Sequence, residues 1–184
     1  MDAPRLDDGR VVVRTLQESD IEAYLLAFDE GESLLNLIGY EAAPSRERVE
    51  RWLGENWIGR PEWAWEFVVA DRKSDAFLGS IMLHSLDPKN KRAEVGFWIQ
   101  ANARGRGVGS AALRLMLDWG FSDLGLERIE MTALPENENV PHIAEKFGFT
   151  YEGRLRKRNH ERGRRVDLLI WGLLKDEHHS RRSL

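Results

Sequence analysis

The chain contains no cysteine, which excludes disulfides, thiolate metal sites and a cysteine nucleophile. An acyl transfer by this protein would therefore not pass through a protein thioester. The five histidines, His84, His142, His160, His178 and His179, include no pair at the spacing of a helical metal site, so no metal is expected. His178 and His179 fall in a polar tail, residues 175–184, and read as solvated. No apolar run approaches the roughly 18 residues that cross a bilayer. The first residues also lack the apolar core of a signal peptide. No membrane association is expected, and cytoplasmic residence is the default. A strong charge imbalance is absent too: the formal net charge of −4 is too mild to dictate a partner.

What is present suits one globular α/β domain spanning residues 1–184. With 42% hydrophobic and 32% charged residues, the composition is ordinary for a soluble protein. Residues 11–14 predict a first strand, with Asp7, Asp8 and Gly9 as the turn before it. Ser19 and Asp20 cap a helix from Ile21 towards Phe28, and Pro44 and Ser45 open a second that carries Val49, Trp52 and Leu53 on one face. Residues 55–65, with Trp57, Trp63 and Trp65, read as a loop. Three strands joined by short turns follow, at 66–70, 77–83 and 93–100, as an antiparallel meander. A helix from 108 to about 119 shows one polar stripe, Ser110, Arg114 and Asp118, and is otherwise apolar. It leads to a strand at 129–133 that must lie parallel to the 93–100 strand. A short helix near 139–147 ends at Gly148, and strands at about 150–158 and 166–174 close the chain as a hairpin. The expected fold is a mixed sheet of about six or seven strands, antiparallel at first, with a central parallel pair and helices on both faces.

The segment Arg104, Gly105, Arg106, Gly107, Val108, Gly109 and Ser110 carries the functional signal. It lies between an apolar strand and a buried helix. Backbone N–H groups at the positive end of a helix dipole are suited to a pyrophosphate. The nucleoside-triphosphate loop pattern is absent. The dinucleotide fingerprint is nearly met by Gly105, Gly107 and Ser110, but behind an antiparallel meander rather than in a first βαβ unit. A third pattern, arginine followed at the third and fifth positions by glycine, is met in full by Arg104, Gly107 and Gly109.

Here the chain resembles the GNAT N-acetyltransferase superfamily, and within it the RimJ/RimL-like group of ribosomal-protein N-terminal acetyltransferases. The resemblance runs through residues 81–86, 93–99, 104–109, Asn137, 145–149, 151–153 and 166–169. It implies that the glycine-rich turn holds the pyrophosphate of acetyl-coenzyme A. It also implies a strand splayed from its parallel neighbour, where Phe97, Trp98 and Ile99 offer main-chain groups to the pantetheine arm. Asn137 is implied as a further cofactor contact, with a helix cap or turn as its alternative role. The implied acceptor is a primary amine, foremost a protein N-terminal amine. Polyamines, amino acids and aminoglycosides are the small-molecule alternatives, and a non-catalytic acyl-coenzyme A-binding module is a third reading. A homodimer is compatible with the resemblance.

Acetyl transfer to an amine needs a proton acceptor, a donor for the developing oxyanion and a proton for the leaving thiolate. Direct attack in a ternary complex is the natural scheme, since two positioned reactants gain much of the acceleration from proximity. Glu94, just ahead of the pantetheine-pairing residues, is the candidate base. The alternative for it is a structural ion pair with Arg92 or an arginine of the last hairpin. Glu66 and His84 are weaker candidates. The serine that the resemblance implies for this group and the tyrosine of other GNAT enzymes are replaced by Val140 and Ala144, leaving water or Tyr151 as the proton donor, or a reduced activity. The segment from Arg154 to Arg165 carries seven cations against Glu161 alone. It reads either as a solvated hairpin or as a contact with RNA, a ribosomal surface or an acidic substrate. Direct nucleic-acid binding is not expected, because no aromatic residues interleave to stack bases.

Overall fold

Short β-branched and aromatic runs form most of the strands. The computed structural model describes residues 3–28, 43–54, 64–161 and 163–182. Its strands are β1 (Leu6–Asp7), β2 (Val11–Arg14), β3 (Ala64–Asp71), β4 (Phe77–Asp87), β5 (Arg92–Ile99), β6 (Arg128–Ala133), β7 (Thr150–Glu161) and β8 (Arg164–Leu174). They form a mixed sheet in the order β1-β2-β3-β4-β5-β6-β8-β7. β5 and β6 pair in parallel, while β1–β2, β2–β3, β3–β4, β6–β8 and β7–β8 are antiparallel. The helices are α1 (Ile21–Ala27), α2 (Arg46–Gly54), α3 (Val108–Ser122), α4 (Asn139–Phe147) and α5 (Lys175–Arg182).

The sheet therefore has eight strands, one more than the upper expectation. Asp7, expected in a turn, instead pairs with Val12 in β1. Asp8 Oδ1 accepts the amides of Arg10 (3.0 Å) and Val11 (2.9 Å), and Gly9 takes φ +85°. This tight turn folds the preceding two residues back onto β2. Trp65 also departs from expectation: it lies in β3, buried, with its ring stacked on Phe67. Trp57 and Trp63 lie outside the described residues.

The chain packs as two compact units. The first comprises Met1–His84 with Gly96–Leu117. Here Tyr24 of α1 meets Phe28, Trp52, Phe77 and Trp98 with ring centroids 5.4–6.2 Å apart. On the opposite face of β5, Phe97 and Ile99 approach the start of α3 at Gly109. Helices thus cover both faces of this strand end. Arg14 and Asp20 form a buried bidentate pair (2.6 and 3.0 Å), and Asp75 accepts the Arg14 Nε–H at 2.9 Å. Asp20 also accepts the Gln17 amide (2.8 Å) at the entry to α1, so one carboxylate ties β2 to the first helix.

The second unit comprises Ser85–Val95 with Asp118–Leu184. Along β6, Ile129, Met131 and Ala133 are buried while Arg128, Glu130 and Thr132 occupy the other face. The expected polar tail is the helix α5, and His178 is not solvated. It is buried, bonded to Asp118 of α3 (2.7 Å) and packed against the Phe121 ring. Its sequence neighbours are polar, so only the tertiary partner reveals the burial.

Candidate functional site

The glycine-rich turn leaves β5 through a short 3-10 turn (Ala101–Ala103) and enters α3 at Val108. Gly105 and Gly107 have φ of +71° and +77°, the left-handed region that side chains disfavour. Gly109 is required for another reason. A Cβ there would lie 3.0 Å from a Phe97 ring carbon and 3.4 Å from Ile99, so glycine lets the helix start close against β5. The first intrahelical bond joins the Ala111 amide to the Gly107 carbonyl (3.0 Å). Val108 and Gly109 therefore have no carbonyl one turn behind them within α3, as at any helix start. Their amides and the positive end of a fifteen-residue helix favour an anion.

Arginines gather around this turn. Arg104 Nε donates to the Ile99 carbonyl (2.7 Å), which ties the turn to the strand end. Arg106 is exposed. Arg10, not singled out from the sequence, donates to the Arg106 carbonyl and stands 3.2–3.3 Å from where a Gly107 Cβ would be. No local pattern could announce that contact across 96 positions.

Phe97, Trp98 and Ile99 divide by strand alternation. Phe97 and Ile99 meet α3, while Trp98 is buried in the aromatic cluster under α1. Gly79 of β4 admits the Trp98 carbonyl so closely that a Cβ would lie 2.2 Å from it. Parallel pairing of β5 with β6 runs only through Arg92↔Arg128, Ala93↔Ile129 and Glu94↔Glu130. From Val95 to Ile99 the strand continues without a β6 partner among the described residues, which is the expected splay.

In the second unit, Glu94 is half-buried and accepts a hydrogen bond from the Thr132 hydroxyl. Arg92, a suggested partner for Glu94, instead binds Glu130 (3.1 Å) and approaches Asp87 (3.5 Å). Arg128 takes the other Glu130 oxygen (2.8 Å) and both oxygens of Glu152. The two arginines offset the charge of Glu130, and the hydroxyl serves Glu94. Two adjacent like charges on parallel strands are thereby accommodated. Gly172 makes room for this network, since a Cβ there would sit 2.6 Å from the Arg128 and Glu152 head groups.

Tyr151 is not brought beside Glu94. Cross-strand pairs share a face, and the register Met131↔Trp171↔Tyr151 sets Tyr151 on the Met131 face, opposite Thr132. Its exposed ring packs on Trp171 (5.5 Å). Strand parity, available once the register is known, is what the sequence reading lacked. Asn137 Oδ1 accepts the Asn139 amide (3.2 Å) in the turn that leads into α4, so of its local alternatives the turn role is the one seen. Pro141 sits in the first helical turn, where a missing N–H is tolerated. Ala144 is fully buried and brings no proton donor. Of the weaker base candidates, Glu66 accepts the Ser80 hydroxyl (2.9 Å) and His84 lies against Gly96, both in the first unit.

YdaF of Bacillus subtilis (strain 168), which bears a ribosomal N-acetyltransferase name, is 37% identical over 99 residues, 54% of this chain and 54% of its own. YoaA of the same organism, an uncharacterized N-acetyltransferase, is 29% identical over 177 residues, covering 94% and 97% of the two chains. Spermidine N(1)-acetyltransferase of Escherichia coli (strain K12) is 34% identical over 77 residues, 42% of this chain and 41% of its own. The chain thus spans about half the length of YdaF, and somewhat less of the spermidine enzyme. In fold, it matches a spermidine N-acetyltransferase from Vibrio cholerae, solved with CoA and spermine, at a TM-score of 0.80. That match covers 94% of this chain and 99% of the other at 21% identity. A model of the acetyltransferase (GNAT) domain matches residues 10–150, and with the splayed strand and glycine-rich helix start the chain belongs to that family.

Proposed function

We propose that this protein is an acetyl-coenzyme A-dependent N-acetyltransferase whose acceptor is a primary amine, foremost the N-terminal amine of a protein or peptide. One observation carries the reading. A strand that loses its parallel partner after Glu94 runs directly into a turn whose two left-handed glycines open a buried helix. That turn, with Arg104, Gly105, Arg106, Gly107, Val108, Gly109 and Ser110, would hold the cofactor's pyrophosphate. The main chain of Phe97, Trp98 and Ile99 would pair with its pantetheine arm. Asn137 remains a proposed cofactor contact alongside its turn bond to the Asn139 amide.

The reaction joins the amine nitrogen to the acetyl carbonyl carbon and breaks the carbon–sulfur bond, yielding an amide and the free thiol of coenzyme A. Glu94, oriented by Thr132, takes the amine's proton directly or through water. The proton reaching the departing sulfur comes from water, because Ala144 offers none and Tyr151 lies on the other face of its strands. Similarity to the spermidine enzyme supports a polyamine as the second acceptor reading.

Calorimetry with acetyl-coenzyme A, followed by thiol release with peptide and polyamine acceptors, tests the proposal. The chain contributes no thiol background of its own. Glu94→Gln should lower kcat by about 10²–10⁴-fold, the usual range for a lost general base, with acetyl-coenzyme A affinity retained. Absence of saturable cofactor binding would overturn the assignment, and full turnover of Glu94→Gln would remove Glu94 as the base.

A further inference from the structure

Arg10 reaches the glycine-rich turn from a backbone that is fixed on both sides. Its amide donates to Asp8 Oδ1 (3.0 Å), its carbonyl accepts the Arg72 amide (3.1 Å), and β2 begins at the next residue. The side chain then donates to the Arg106 carbonyl, 96 positions away in sequence. Its two terminal nitrogens stand 3.2 and 3.3 Å from where a Gly107 Cβ would be. Arg10 is exposed, and no carboxylate pairs with its guanidinium among the described residues. Its partner is a backbone carbonyl, not an opposite charge. The whole contact lies within the first unit.

This bond falls on a peptide that glycine leaves free to turn. The orientation of the Arg106–Gly107 peptide is set by ψ of Arg106 and φ of Gly107, and glycine adopts either sign of φ at little cost. Untied, the peptide can turn over and exchange the directions of its C=O and N–H. It is trans, so the two groups point oppositely. With the carbonyl held by Arg10, the Gly107 N–H is directed away from the guanidinium. Gly107 is half-buried, and its amide has no acceptor among the described residues. A donor so placed is left for water or a ligand. Val108 and Gly109 follow it directly at the start of α3, where helix amides lack partners.

Resting on the reading that this turn holds the cofactor's pyrophosphate, we propose that Arg10 is a positioning residue for that diphosphate. It pins the Arg106–Gly107 peptide so that the Gly107 amide joins those of Val108 and Gly109 in binding the anion. A guanidinium donor also makes a charge-assisted bond, which polarises the peptide and strengthens its N–H as a donor. Arg10 acts through the backbone and does not itself touch the phosphate.

The test uses the full chain and calorimetry. Arg10→Met keeps the apolar stem and both backbone bonds but removes the donor. Its affinity for coenzyme A should fall about tenfold, as for one lost hydrogen bond to a charged group. Its melting temperature without ligand should move by under about 2 °C, since the removed head group is exposed. The same loss should hold for dephospho-coenzyme A, which lacks the ribose phosphate but keeps the diphosphate. Arg10→Lys restores a charged donor and should recover most of the affinity. With S-acetylpantetheine, an acetyl donor without any phosphate, kcat/KM should be equal in wild type and Arg10→Met. A general disturbance of the fold would lower it.

A crystal structure with coenzyme A should show the Gly107 amide on the diphosphate and Arg10 still on the Arg106 carbonyl. A guanidinium bonded directly to phosphate, or a Gly107 amide turned away from it, overturns the inference. So does wild-type affinity in Arg10→Met, no recovery in Arg10→Lys, a defect that vanishes with dephospho-coenzyme A, or an equal defect with S-acetylpantetheine. Each of these results leaves the acetyltransferase proposal standing. Wild-type protein that binds no coenzyme A sinks that proposal, and the role of Arg10 with it. If coenzyme A binds but no acceptor is acetylated, the binding ratios and the complex decide the role of Arg10 without turnover.

Discussion

Replacing Gly107 with alanine separates the conformational demand of the turn from its ligand-binding role. At φ +77° an alanine is strained by about 1–2 kcal/mol relative to glycine. Gly105, at φ +71°, should suffer the same strain, but a Cβ there meets nothing within 4 Å. At Gly107 the new methyl instead meets the Arg10 guanidinium at 3.2–3.3 Å. That flexible side chain moves aside and loses its bond to the Arg106 carbonyl. Both variants should therefore lose about 1–2 kcal/mol of stability, which for a chain of this size lowers Tm by roughly 2–4 °C per kcal/mol. Only Gly107→Ala adds a group where, in the proposed function, the backbone approaches the pyrophosphate. Its acetyl-coenzyme A affinity should fall at least about tenfold, equivalent to about 1.4 kcal/mol, while Gly105→Ala falls less. Differential scanning fluorimetry reads the first quantity and calorimetry with acetyl-coenzyme A the second. A Gly107→Ala protein that melts lower yet binds with wild-type affinity would refute phosphate binding at this turn. Unchanged melting in both variants would refute the left-handed backbone.

Thr132→Val removes the hydroxyl that orients Glu94 while keeping the side-chain shape. We expect kcat to fall about tenfold with KM for acetyl-coenzyme A unchanged, and Thr132→Ser to restore it; equal loss in both variants would argue for a merely structural role. Asp20→Ala strands the buried Arg14 guanidinium and should destabilise the fold by about 3–5 kcal/mol, whereas Glu22→Ala, at the exposed pair with Arg46, should shift Tm by under 2 °C or so. Glu152, Asp87 and Asp167 all have carboxyls held below their ordinary range, chiefly by hydrogen bonds to Arg128, to Asn90 and to the Lys157 amide respectively. The unfolded chain binds protons at these sites first, so their contribution is complete above the unfolded carboxylate range and is lost as pH falls through the lower folded values. Thermal melts should be level from pH 7 to 5 and drop below about pH 4; a melting temperature that rises below pH 4 would contradict this.

Much of the molecule was legible from local signals because those signals act within a few residues. Gly148 ends α4 in a left-handed cap, Asp71 closes its turn by accepting the Lys73 and Ser74 amides, and alternation along β6 matches its buried face. The glycine spacing at 104–109 likewise announced a helix start suited to an anion. Parity and partnership were not legible, since both depend on register between distant strands. Tyr151 looks available in sequence, but its pairing with Trp171 turns it away from Glu94. His178 looks solvated until Asp118 and Phe121 are seen beside it.

The amino-acid order by itself therefore determined the strand and helix alternation and a glycine-rich turn suited to a phosphate, because propensity, capping and turn geometry are short-range effects; the class of chemistry was implied by the family resemblance those residues carry. Tertiary structure alone decided that Thr132 serves Glu94, that Arg10 covers Gly107, and that Asp167 joins the Lys157 amide to the Arg154 side chain. Hydrogen bonds between strands join residues far apart in the chain, and only the folded register chooses which ones meet.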